Sequence, residues 1–295
     1  MSADPDPARP PALGITFVPT LPPERLPSLA RSAEDGGLDE LWVWEDCFKE
    51  SGVAAAAVAL ASTSRLRVGI GLLPVPLRNV ALTAMELASL ERMFPGRLIA
   101  GIGHGVQPWM AQVGARARSP LTLLREYTVA LRTLLNGDRV TVAGDYVQLD
   151  DVALDWPPAS PPPLMLGGAG PKSVALAAEL GDGNLLSAAL TDAEIAAASA
   201  IVAGVTGKVA HPLVACHIVA TGPGAAERVD REVPKWGKAA GLGIGVAGDA
   251  ATIAASIRRL AGLGCTNVAV QSTEDEPDLD GLIELLGREV KPLLG

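Results

Sequence analysis

One pattern limits the fold of this chain more than any other. Short runs of apolar residues and glycines alternate with stretches of helical spacing, eight times over. The runs are Leu13–Val18, Glu40–Trp44, Arg67–Leu73, Leu98–Ile102, Leu164–Leu166, Asn184–Ser187, Leu213–Val219 and Asn267–Val270. They are too apolar to keep one face in water, as expected of parallel strands covered on both sides. Helix signals stand between them: a stop at Gly36-Gly37 after a helix over 24–35, caps at Ser51, Asn79 and Asp249, Ser119 followed by Pro120, and a Thr191-x-x-Glu194 capping box. Eight strands, each leading into a helix, predict an α/β fold of the TIM (β/α)8 barrel type, with an open doubly wound sheet as the alternative.

The rhythm breaks twice. Residues 140–149 alternate about Gly144-Asp145 and read as a β-hairpin outside the main sheet. A proline-rich connector, 156–163, follows it. Residues 222–248 are glycine-rich and resist assignment. The 295 residues suit one barrel domain over 1–295, with 140–163 as its insertion. A formal charge of −9 and the lack of a Lys/Arg run argue against nucleic acid or an anionic membrane as partner. The longest apolar stretch, Val53–Ala61, is too short to span a bilayer, and the polar N-terminus carries no leader-like apolar segment. Three scattered cysteines suggest a reducing cytoplasm rather than a disulfide framework, and apolar barrel helices are compatible with a homodimer.

In a barrel, the strand C-termini and the loops after them form the site. The fourth run ends in Gly101-Ile102-Gly103-His104-Gly105-Val106-Gln107-Pro108-Trp109. Glycines there let a flat ligand approach the backbone, His104 can donate to a ring or act as an acid, and Trp109 offers a planar face. Gly167-Gly168-Ala169-Gly170-Pro171-Lys172-Ser173 feeds directly into a helix. Free amides and the positive dipole end favour a phosphate there, with Lys172 adding charge. An ordinary strand–helix connection would look similar. Glu45 and Asp46 end the second run beside Trp44 and could act as acid/base groups or bond a ring N–H; a solvated loop is the simpler reading. Trp156, His217 and Trp236 read as structural. Other chemistries lack their signatures. Val106 breaks the GxGxxG fingerprint, Pro171 breaks a Walker loop, no GxSxG occurs, and His104, His211 and His217 lack metal-ligand spacing, so no metal is expected.

Together these residues resemble the bacterial-luciferase-like superfamily of flavin- or deazaflavin-dependent oxidoreductases, most of all its F420-dependent branch. The resemblance runs from Leu13 to about Gln271. It is carried by 68–79, by Phe94-Pro95-Gly96-Arg97-Leu98 through Gly105, and by 167–172 followed by Asp182-Gly183. It implies a ring system at the strand C-termini, with Gly71, Leu72 and Leu73 behind one face and a cis peptide at Gly71–Leu72. Two positions depart from the pattern of the family's sugar-phosphate dehydrogenases, which carry histidine where Asp46 stands and glutamate where Val106 stands. Sugar-phosphate oxidation is therefore not expected.

The sequence thus points to hydride transfer between reduced coenzyme F420 and a small organic molecule. Asp46 and His104 are the candidate catalytic residues. Glu45, Gly71, Leu72, Leu73, Gly103, His104, Gly105, Gly167, Gly168, Ala169, Gly170 and Lys172 are the candidate cofactor contacts. Trp44, Gln107 and Trp109 are the candidate pocket walls. An FMN-dependent monooxygenase and a non-catalytic flavin-binding paralogue are the alternatives.

Overall fold

A computed structural model describes residues 10–207 and 211–295. The chain opens with β1 (Ala12–Phe17), α1 (Leu26–Gly36), β2 (Glu40–Val43), α2 (Gly52–Ala61), β3 (Arg67–Pro74) and α3 (Val80–Met93). It continues through β4 (Leu98–Gly103), α4 (Gln107–Gln112), α5 (Pro120–Leu135), the hairpin β5 (Val140–Ala143) and β6 (Gln148–Val152), then β7 (Leu164–Gly167), α6 (Pro171–Leu180) and β8 (Gly183–Leu185). It ends with α7 (Asp192–Thr206), β9 (Leu213–Ala220), α8 (Ala225–Glu232), β10 (Val246–Ala247), α9 (Ala250–Gly262), β11 (Asn267–Ser272) and α10 (Leu279–Leu285).

All pairings in the main sheet are parallel. The order β9-β11-β1-β2-β3-β4-β7-β8 returns on itself through a β8–β9 pairing, and β10 adds beside β9. That pairing closes the barrel and removes the open-sheet alternative. The hairpin stands apart as a separate antiparallel pair. The Glu126 carboxylate on α5 holds its turn, accepting the N–H groups of Asp145, Tyr146 and Val147 at 2.9–3.0 Å.

Side-chain alternation along each strand separates two cores. Outward residues such as Leu13, Ile15, Phe17, Leu41, Val43, Val68 and Ile70 pack under the helices. Inward, Trp42, Ile99, Met165, Leu185, Val214 and Ala269 fill the barrel, with Leu72 packed against them. Trp42 can lie there only because its neighbours carry no side chain. A Cβ on Gly69 would enter the indole, and one on Gly14 or Gly71 would come within 3.2 Å of it. Below it, Trp42 Nε1 donates to the buried Glu40 carboxylate at 2.9 Å, which also accepts from Asn267 Nδ2 at 2.7 Å and pairs with Arg67 at 3.3 Å. Burial pushes the Glu40 carboxyl up, with Arg67 opposing.

Three differences from the sequence expectation are local. The first helix begins at Leu26 after a 3-10 turn over Pro23–Arg25, β2 ends one residue before Trp44, and 222–248 contains α8, a 3-10 turn and β10. If Trp42 packs the lumen as described, Trp42→Ala will lower unfolding stability by about 3–5 kcal/mol in urea denaturation. A loss below about 1 kcal/mol would show that the barrel does not depend on it.

Candidate active site

The carboxyl ends of the strands gather most of the candidate residues. At the end of β3, the Gly71–Leu72 peptide is cis, as the resemblance implies; so is Cys47–Phe48 after Asp46. Leu72 turns inward and lies across the ends of β4 and β7. A Cβ added to Gly103 would meet Leu72 Cδ2 at 2.6 Å and Gly167 O at 2.8 Å, and one on Gly167 would strike the same methyl. Leu72, Gly103 and Gly167 thus form one apolar shelf. Leu73 turns the other way, into the core under the helices. Gly105 has φ +66 and sits against Pro74 and Met110, turning the chain from β4 towards α4.

His104 follows the shelf. Its Nε2 lies 3.0 Å from Ser173 Oγ in the first turn of α6, which ties the end of β4 to the glycine loop. Gly168 makes that approach possible, because a Cβ there would strike Ser173. His104 Nδ1 is buried with no hydrogen-bond partner. Burial lowers the His104 pKa, with the Pro120 backbone opposing. The imidazole is accordingly neutral at pH 7.

In the glycine loop, the Gly170 carbonyl accepts from Ser173 and Val174, while the N–H groups of Ala169, Gly170 and Lys172 donate to no described acceptor. Arg116, Arg118 and Lys172 are exposed, with no ion pair or hydrogen bond among the described residues. A cavity of about 350 Å³ beside the loop is lined by Thr122, Arg125, Lys172, Leu176 and Glu179. Arg125 is already committed to a bidentate pair with Glu179 at 2.7 Å.

Glu45 and Asp46 part company. Both Glu45 oxygens are engaged, by Arg78 at 2.9 and 3.2 Å and by the Gly52 N–H at 2.8 Å, so this side chain fastens the β2–α2 loop. Asp46 is half-buried; its carbonyl accepts the Lys49 N–H at 2.7 Å, while its carboxylate accepts no described hydrogen bond. Burial raises its pKa, with Lys49 opposing. Gln107 folds back on its own turn, donating to the carbonyls of His104 at 3.1 Å and Gly105 at 3.4 Å. Trp109 is half-buried on α4.

Trp44 meets a residue that the sequence reading set aside. Its ring packs edge-on to Trp236, with centroids 5.6 Å apart and planes at 85°. Thr16, Cys216 and Gln271 are further inward residues that gave no sequence signal. Thr16 Oγ1 is buried without a partner, and Cys216 Sγ donates to Gln271 Oε1 at 3.4 Å. Burial pushes the Cys216 thiol up to about 12, so it is no nucleophile at neutral pH. His217 bonds Ser256 Oγ at 2.9 Å, away from the mouth, and Trp156 lies under Arg92 on the surface.

A closed parallel barrel with these residues gathered at its carboxyl rim defines a (β/α)8 protein. The chain belongs to the luciferase-like monooxygenase family, whose model matches residues 9–230. It is 32% identical over 175 residues to the 5,10-methylenetetrahydromethanopterin reductase of Methanolobus tindarius, covering 59% of this chain and 53% of that one. It is 31% identical over 198 residues to the F420-dependent hydroxymycolic acid dehydrogenase of Mycobacterium tuberculosis, covering 63% and 55%. The chain thus spans about half the length of these curated relatives. The solved coenzyme F420-dependent tetrahydromethanopterin reductase of Methanopyrus kandleri superposes with a TM-score of 0.84 over 97% of this chain and 100% of that one, at 22% identity. An F420-dependent secondary alcohol dehydrogenase in complex with an F420–acetone adduct gives the same score over the same shares, at 21%.

The state of His104 can be measured directly. Ring-nitrogen shifts followed by NMR will place its midpoint below the 6.5 of an unperturbed imidazole. A midpoint at or above 6.5 would contradict the buried, neutral ring.

Proposed function

We propose that this protein is an F420-dependent oxidoreductase, moving a hydride between the reduced deazaflavin and a small organic molecule. The observation that carries this reading is the pairing of shelf and anion site. Leu72, Gly103 and Gly167 offer a flat apolar surface. In the loop that follows it after β7 stand three unengaged backbone amides and the unpaired Lys172, in a chain of net charge −9. A tricyclic ring with a phosphorylated side chain needs both, close together. F420 dependence in the names of curated relatives supports the choice of cofactor. FMN is the alternative within the family.

When bound, the deazaflavin supplies or accepts the hydride at its C5. The protein's own residues do the rest. Leu72 backs the ring, with Gly71 and Leu73 setting its position in β3. Gly103, His104 and Gly105 line the ring edge. Gly167, Gly168, Ala169, Gly170 and Lys172 hold the phosphate. Glu45 fixes the loop from which Asp46 reaches the mouth, and Gln107 braces the turn after β4. Asp46 moves the proton that accompanies the hydride, its burial keeping the carboxyl protonated to higher pH than usual. Trp44 and Trp109 wall the acceptor. No described helix is long and apolar enough to cross a membrane. A cytoplasmic location fits the three free cysteines, and exposed Leu82, Met85, Met93 and Val129 on the neighbouring α3 and α5 offer a face for a homodimer.

Fluorescence titration of the purified protein with F420 and with FMN tests the reading. F420 should bind more tightly, and Lys172→Ala should weaken it about tenfold, the loss of one charge-assisted contact. Tight binding of FMN alone, with oxygen uptake when it is reduced, would replace this reading with a monooxygenase. Asp46→Asn should leave F420 affinity unchanged and lower turnover by about 10²–10⁴-fold. With Asp46 as acid, wild-type turnover falls as pH rises through its elevated pKa; an unchanged rate in Asp46→Asn would remove it from the chemistry.

A further inference from the structure

We propose that Trp236 is a specificity-determining residue of the barrel mouth, and that the molecule it selects is a planar aromatic ring system. The inference rests on the oxidoreductase reading for its purpose, though not for its geometry.

Trp236 ends a 3-10 turn over Val233–Trp236, closed by Gly237 at φ +73. A buried clamp holds that turn in place. The Glu232 carboxylate, 3% exposed, accepts from Gln271 Nε2 at 3.3 Å inside the barrel, from the Glu274 N–H at 3.3 Å and from Lys235 Nζ at 2.9 Å. Arg228 pairs with Glu276 at 3.4 Å and Arg231 with Asp275 at 2.7 Å, fastening α8 to the loop after β11. Beyond the turn, Lys238 pairs with Glu194 on α7. Trp236 is therefore set against Trp44 before any ligand arrives, and a preorganised aromatic loses little freedom on binding.

The same clamp fixes the chemistry of the ligand. Every described cation from α8 to Lys238 is spent on a carboxylate of the protein, so none remains for a phosphate or carboxylate on a substrate. Glu227 and Asp230 lie on the exposed face of α8. Unpaired Arg116 and Arg118 follow β4 and unpaired Lys172 follows β7, while exposed Lys49, which is in no described ion pair, follows β2. What this side of the mouth offers is two indoles packed edge to face. That surface suits a flat aromatic ring system, and the paired cations of α8 and the turn after it give no anchor to a sugar phosphate.

Calorimetric titration with menadione, a neutral planar quinone, and with glucose 6-phosphate tests this, using the full chain with and without F420. Wild type should bind menadione and not the sugar phosphate. Trp236→Ala should weaken menadione about tenfold or more while leaving F420 affinity unchanged, and Trp236→Phe should retain most of the binding. Wild type that fails to bind menadione would overturn the proposal. So would an unchanged menadione affinity in a folded Trp236→Ala, or glucose 6-phosphate binding as tightly as the quinone. Failure of the cofactor reading is separable, because it shows as no F420 binding to wild type while menadione still depends on Trp236.

Discussion

The structure depends first on how one indole fills the barrel. Trp42 points inward from β2, and the strands on either side give way to it with Gly14, Gly69 and Gly71. Close packing leaves no freedom here, since a methyl group at Gly69 would have to occupy the ring's own space. Anchored from below by Glu40, the indole plugs the lower lumen and sets the level above which a site can form. Leu72 packs on that plug and reaches across to Gly103 and Gly167. The surface on which we place the cofactor is in this sense the upper side of the core.

The mouth above it is divided. After β4 and β7 lie open amides and unpaired cations, suited to an anionic tail. After β2 and β9 lie aromatic rings and a set of charges that neutralise one another. Asp46 follows β2, half-buried, its carboxylate without a described hydrogen bond and its pKa raised by that burial.

Much of the barrel was legible in the sequence because strands buried on both faces leave continuous apolar runs, and the caps at Ser51, Asn79, Thr191 and Asp249 each accept the expected N–H. The glycine loop was legible for a similar local reason. What was not legible depends on distance along the chain. Trp236 carries no periodic signal and acquires meaning only beside Trp44. The clamp around Glu232 joins α8 to a loop some forty residues on. Glycines at positive φ, such as Gly241, Gly243 and Gly245, erase periodicity throughout 237–248. Glu45 and Asp46 looked alike as neighbours, yet one is consumed by Arg78 and the other is not.

The account stands or falls on where a flat cofactor lies. A crystal structure of the protein with F420 measures this directly. We expect the ring packed on Leu72 above Gly103, with its phosphate against the amides of Ala169–Lys172. A ring bound elsewhere, or one with no contact to Leu72, would contradict it.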